Sequence, residues 1–384
     1  MIESILHFFS SIPGAAYGTI FYNTVLVLCL FTAFRLVSST GNSLLYSKPS
    51  LPVPTIVVTV IIILFMGLRP NESYFGDTYV YAHSFNLMQN GIATPSTTST
   101  GGEWLWARIM FAFVRGSGDV HMFFLFTDLL YYGLMLLCCW RLFPNNTWLA
   151  MLFFIASFST YSYGVNGIRN GMACSVVLVA IALAAGGTKP ERYAGLLLSL
   201  VAIAIHRSTA LPIAALWAAV FVIRHPRQAI YFWIASIFLS LLVGNRVGDF
   251  FASLGFDDRM TSYFQGQNDV KDMAQFSRTG FRWDFLLYSA MPVLFTWYLT
   301  MKRNFNDRAF NIIAVTYILA NSFWILVIRA AFSNRFAYLS WFVYPLVIAY
   351  PLLRFNIWPD QDRKTALILL LFFAFTYLMY LLGK

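Results

Sequence analysis

The chain has 384 residues, 59% of them hydrophobic and 11% charged, with a formal net charge of +10. Soluble domains carry roughly 25% charged residues, and a water-soluble globule could not hide this much apolar surface. The basic residues are spread through short connections with no dense basic tract, which excludes a nucleic-acid-binding protein and points to topology across a bilayer.

Taken in chain order, apolar runs separated by loop signals predict an all-α polytopic membrane protein, one integral membrane domain over 1–384 with about twelve transmembrane helices. The predicted spans are about 16–35, 51–68, 121–141, 147–163, 169–186, 193–205, 208–223, 229–244, 284–301, 309–328, 336–353 and 365–382. The N-terminal stretch lacks Lys and Arg before its apolar run, so a cleaved signal peptide is not expected. The pair 193–205 and 208–223 is short against the ~20 residues of a perpendicular span. Either flanking residues complete these helices, or one is a broken helix at a polar cavity. The segment 104–115, WLWARIMFAFVR, reads as an interfacial or re-entrant helix. Cys29, Cys138, Cys139 and Cys174 all fall inside apolar spans, as small buried hydrophobes do, and no zinc-ligand spacing is present.

The short connections 36–50, 187–192, 224–228, 302–308 and 354–364 each carry Lys or Arg, and alternation puts them on one side, which the positive-inside rule makes cytoplasmic. The long connections 69–120 and 245–283 then lie outside, as loops covering a site. Arg69, Arg169, Arg207, Arg278, Arg282, Arg329 and Arg335 stand at span ends on that same outer side. Charge near lipid is costly, so a one-sided arginine group is a site by default, and the planar guanidinium fork suits phosphate oxygens. A phosphate-bearing lipid is the substrate class this implies.

Around those arginines, Gly67-Leu68-Arg69-Pro70 ends a helix, and Gly76-Asp77 is a turn signal in which Asp77 either N-caps the next helix or serves as a site carboxylate. Asn166-Gly167-Ile168-Arg169-Asn170-Gly171 places Arg169 in the first turn of a helix, where free N–H groups already favour anions. His206-Arg207-Ser208 sits at a helix break, and a neutral imidazole there can take a proton from a sugar hydroxyl. Asp284 is expected to cap its helix or pair with Arg282, while Phe281, Trp283 and Tyr288 form an interfacial belt or a sugar- and lipid-packing surface. Arg329 and Asn334-Arg335-Phe336 close the set, a pairing that suits a pyrophosphate.

Together these stretches resemble the EpsG-like family of bacterial exopolysaccharide proteins, related to Wzy-type O-antigen and capsule polymerases. The resemblance rests on G-x-R followed by D-T-x-x-Y (Gly67, Arg69, Asp77, Thr78, Tyr81), on Arg169, on H-x-S (His206, Ser208), on the run from Phe281 to Ser289, and on Asn334-Arg335-Phe336, and it covers about 55–350. Asn170 departs from the Gln expected after the arginine. The resemblance implies a GT-C-like glycosyltransferase of the bacterial inner membrane with its site on the periplasmic side. Its substrate would be an undecaprenyl-pyrophosphate-linked oligosaccharide, transferred to the non-reducing end of another lipid-linked repeat unit. It implies no cofactor and no metal, and a possible chain-length regulator protein as partner. On this reading His206 is the first choice of base and Asp77 the second. Arg69, Arg169, Arg207, Arg278, Arg282, Arg329 and Arg335 hold pyrophosphate, and Tyr81, Asn166, Trp283, Asp284, Tyr288 and Asn334 meet sugar or lipid. The alternatives are a flippase or transporter of the same lipid, an O-antigen ligase, or a sugar acyltransferase. A carrier would string charges through the midplane, and an acyltransferase would want its His open to the cytoplasm.

Overall fold

The computed structural model describes residues 8–38, 52–97, 103–243, 280–329 and 333–383. Arg278 and nearly all of the expected outer loop 245–283 lie outside the described residues. The helices are α1 (Gly14–Ser38), α2 (Val53–Gly67), α3 (Asp77–Gln89), α4 (Trp104–Gly116), α5 (Val120–Leu142), α6 (Thr147–Ile155), α7 (Thr160–Val165) and α8 (Ile168–Gly186). They continue as α9 (Lys189–Ile205), α10 (Ala210–Phe221), α11 (Pro226–Val243), α12 (Trp283–Trp297), α13 (Arg308–Leu326), α14 (Ser333–Trp341), α15 (Tyr344–Arg354) and α16 (Gln361–Leu382). The protein is all-helical and polytopic.

Among the described residues, seven helices are long and apolar enough to cross a membrane: Gly14–Ser38, Val120–Leu142, Ile168–Gly186, Pro226–Val243, Arg308–Leu326, Asn334–Arg354 and Gln361–Leu382. Val53–Gly67 and Arg207–Phe221 are shorter apolar helices. This does not establish the expected twelve. The expected span 147–163 is two helices, α6 and α7, separated by the Ala156–Ser159 turn. The short expected helix 193–205 starts earlier, at Lys189, which extends it to the 17 residues Lys189–Ile205. The expected loop 69–120 is itself largely helical, holding α3 and α4.

Local sequence explains several boundaries. Pro sits in the first turn of α2, where its missing N–H costs nothing. Asp119 caps α5 by accepting the His121 N–H at 2.8 Å, and Asp307 caps α13 by accepting that of Phe310 at 2.8 Å. Pro292 lies inside α12, which ends in a π-helical turn over Tyr298–Lys302.

The chain divides into two compact units. The first comprises Met1–Ala182, Leu200–His206 and Ala349–Lys384. In it α1 packs along α16 and α2 along α5. Polar pins between helices satisfy groups that lipid cannot: Thr376 donates to Ala156 O at 2.8 Å, Tyr380 to Thr19 Oγ1 at 2.8 Å, and Trp148 Nε1 to Thr32 Oγ1 at 3.1 Å. Buried Gln361 clasps the turn before α16, accepting from Ile357 N at 2.8 Å and donating to Leu352 O. The second unit comprises Leu183–Ser199 and Arg207–Ile348 and is built around α13, which packs against α10, α11 and α14. Trp233 Nε1 donates to Asn321 Oδ1 at 2.8 Å, and Asn321 Nδ2 donates to Ser340 Oγ at 3.0 Å. Large apolar side chains such as Phe34, Leu242, Leu287 and Leu382 stay exposed on helix faces, as contact with acyl chains requires.

α2 and α5 approach closely at Gly67, where a Cβ would lie 2.6 Å from the backbone Cα of Leu125. Gly67→Ala should therefore separate α2 from α5 and cost about 1–3 kcal/mol, the range for overpacking. Thermal unfolding of the purified protein in detergent checks this, and an unchanged Tm would contradict it.

Candidate functional site

The site of the first unit is built on helix ends. α2 stops where Pro70 cannot continue it, and Arg69 folds back into the protein. Its Nη1 donates to Asp128 Oδ2 at 2.9 Å and to Met66 O, and its Nη2 donates to Thr78 Oγ1 at 3.1 Å. The guanidinium also lies 4.9 Å from the Phe124 ring centroid. Its side chain is 0% exposed, and that of Asp128 is 1% exposed. The sequence places Arg69 among the pyrophosphate contacts. The enclosure and the buried counter-charge instead make it a structural cation that joins α2, α3 and α5.

Thr78 in turn donates to Val165 O, and the backbone N–H of Asp77 donates to Asn166 Oδ1 at 2.8 Å. The start of α3 is thus stitched to the turn before α8. Gly76 takes φ +58° at this corner, and a Cβ there would lie 2.7 Å from Asn166 Oδ1, so the position needs glycine. Asp77 does not N-cap α3. Gly76 holds the cap position, and Asp77 is the half-buried first residue of the helix. Asn166 thereby serves the backbone of Asp77. Asn170, which departs from the family pattern, donates to Tyr163 OH at 2.9 Å and accepts from Cys174 Sγ at 3.2 Å, which fastens α7 to α8.

The corner presents Arg169, the second residue of α8. Its Nη1 pairs with Glu103 Oε2, its guanidinium lies 5.8 Å from the Tyr81 ring centroid, and its Nε is buried with no hydrogen-bond partner. Tyr81 is held edge-on against fully buried Trp106, with centroids 5.1 Å apart. Glu103 Oε1 meets His206 Nδ1 at the C-terminal end of α9. One carboxylate therefore bridges an arginine at the start of α8 and the histidine that follows α9. The side chains of Arg169, Glu103 and His206 are 11–12% exposed, so the group is largely withdrawn from solvent while still reachable. The chemistry available is a cation for an anionic group and an imidazole whose tautomer a carboxylate can fix.

The second unit carries the other expected residues. Arg282 Nε and Nη2 grip Asp284 at 2.9 and 2.6 Å, and the guanidinium lies 3.7 Å from the Phe285 ring centroid. Arg329 lies 5.8 Å from the Phe281 centroid, and Phe281 packs on exposed Trp283 at 4.4 Å. Tyr288 is buried among Trp341 and Tyr344. That fits an aromatic core better than a surface for sugar or lipid. Asn334 and Arg335 open α14 half-buried, and Arg207 opens the turn Arg207–Thr209. Among the described residues, no group of three or more His, Cys, Asp or Glu side chains is gathered.

Sequence reasoning alone misses Glu103 and Asp128. Asp128 carries a readable signal, since an acid within a membrane span implies a buried partner. Glu103 heads a short amphipathic helix, and nothing in its spacing marks it.

Comparison with curated proteins and with solved structures gave no match. A family model does match, along residues 54–383, and it takes in the Arg69–Asp128 pair, the Glu103 group and all of the second unit's arginines. On that match, the chain belongs to the EpsG family.

Proposed function

We propose that the chain is a membrane glycosyltransferase of the polysaccharide-polymerase type. It transfers a glycan from undecaprenyl pyrophosphate to the non-reducing end of another lipid-linked repeat unit at the outer face of the bacterial inner membrane. The observation that carries this reading is Arg169. A largely buried guanidinium at a helix start, with one N–H unsatisfied, stands one carboxylate away from an imidazole. An anion is the ligand such a group prefers.

In the reaction, the bond between the sugar C1 and the pyrophosphate oxygen breaks. The departing lipid pyrophosphate takes the electron pair, and Arg169 stabilises the charge that develops there. The acceptor hydroxyl forms the new bond to C1 and gives its proton to His206, a step worth ~10²–10⁴-fold. Asp77 is the second choice for that proton. Arg207, Arg278, Arg282, Arg329 and Arg335 remain proposed contacts to the substrate's phosphates. Trp283 and Asn334 remain proposed contacts to sugar or lipid. Guanidinium groups supply the positive charge, so no divalent metal is assigned to the leaving group.

Reconstitution tests this. The purified wild-type chain in proteoliposomes with a lipid-linked repeat unit should yield a ladder of polymer in the presence of EDTA. No ladder under any metal condition would overturn the polymerase assignment and favour a carrier. A ladder abolished by EDTA and restored by Mg²⁺ would overturn the metal-free leaving-group chemistry.

A further inference from the structure

We infer that Glu103 is a positioning residue that links donor binding to the base, holding Arg169 in place of a phosphate before the donor arrives and orienting His206 throughout. This rests on the function proposed above. Glu103 occupies the N-cap position of α4, yet its side chain makes no capping bond to the orphan N–H groups of that helix. It turns away and divides its two oxygens between two residues on two other helices, Oε1 on His206 Nδ1 and Oε2 on Arg169 Nη1.

Each contact has a consequence. A carboxylate against Nδ1 places the imidazole proton there and leaves Nε2 as the basic atom of the ring. It also stabilises the imidazolium that forms once the acceptor proton arrives. A carboxylate against Arg169 neutralises a guanidinium that would otherwise stand uncompensated in a low-dielectric setting. When the diphosphate of the donor reaches Arg169, it competes with Oε2 for the same donor atoms. The Glu103 charge displaced from Arg169 then falls wholly to His206. Binding the donor and committing the carboxylate to the base become one event, which holds back proton transfer until the leaving group is in place.

The test compares Glu103→Gln with wild type in the polymerisation assay, with inorganic pyrophosphate as an inhibitor. Glutamine keeps the shape and removes the charge. The expected kcat loss is about 10–100-fold, by analogy with the range for carboxylate partners that orient metal-bound histidines, with no rise in the donor KM. Pyrophosphate should inhibit at about tenfold lower concentration, as one charge-assisted contact at Arg169 is no longer contested. Glu103→Asp keeps the charge but is one methylene too short to span both partners. It should show the same signature at smaller size, and it decides the matter if Glu103→Gln does not accumulate. A kcat within twofold of wild type, or a kcat loss accompanied by weaker pyrophosphate inhibition, overturns the inference. If Arg169→Ala and His206→Ala are themselves fully active, it is the proposed function that fails.

Discussion

Arg69→Met should prevent most of the protein from reaching its folded state. The substitution leaves Asp128 as a carboxylate 1% exposed in the middle of a membrane helix with no counter-charge. Removing one partner of a buried ion pair costs about 3–5 kcal/mol, a large share of a typical stability of about 5–15 kcal/mol. The damage extends beyond the pair, because Arg69 also holds Thr78, and Thr78 holds the turn that presents Asn166 and Arg169. Arg69→Met/Asp128→Leu removes both charges and should recover much of the folded protein. Fluorescence-detected size-exclusion of the solubilised variants measures this. If Arg69 were a phosphate contact, Arg69→Met would fold normally and raise only the donor KM. That pattern would overturn the structural role.

The apolar ladder is legible in the sequence because lipid imposes a length and a composition on each span. Helix breaks are less so. Proline is the usual mark of a break, yet Pro292 and Pro351 lie inside helices, while α6 and α7 part at Ala156–Ser159, where no proline stands. In a packed bundle, neighbouring helices satisfy the groups that a proline frees, so tertiary contacts decide. Most of the arginine-bearing motifs are legible at their positions, and so is the local Arg282–Asp284 pair, but the distant partners are not. Arg69 and Arg169 look alike in sequence, each at the outer end of a predicted span. Asp128 and Glu103, 59 residues after the one and 66 before the other, give them opposite surroundings. The first is sealed against a buried acid and two aromatic rings. The second shares a carboxylate with a histidine of the same unit and stays partly exposed. Long-range pairing of this kind leaves no local periodicity to read.

Arg169→Ala should leave the protein folded and its chemistry nearly lost. The Glu103 carboxylate still keeps His206 as a partner on Oε1, so truncation does not leave it without any counterpart. The catalytic cost is larger, because a preorganised donor aimed at developing charge is worth about 10²–10³ in kcat. Arg169→Lys should recover only part of it. An ammonium is a point charge without the planar fork that spans two phosphate oxygens, and its donors lie where Glu103 competes for them. The two sites share an interaction, so Arg169→Ala/Glu103→Gln should lose far less than the product of the single losses. Initial rates of polymer formation, normalised to folded protein by size-exclusion, give all of these numbers. A full-rate Arg169→Lys would show that charge alone suffices, and a full-rate Arg169→Ala would remove this residue from the reaction.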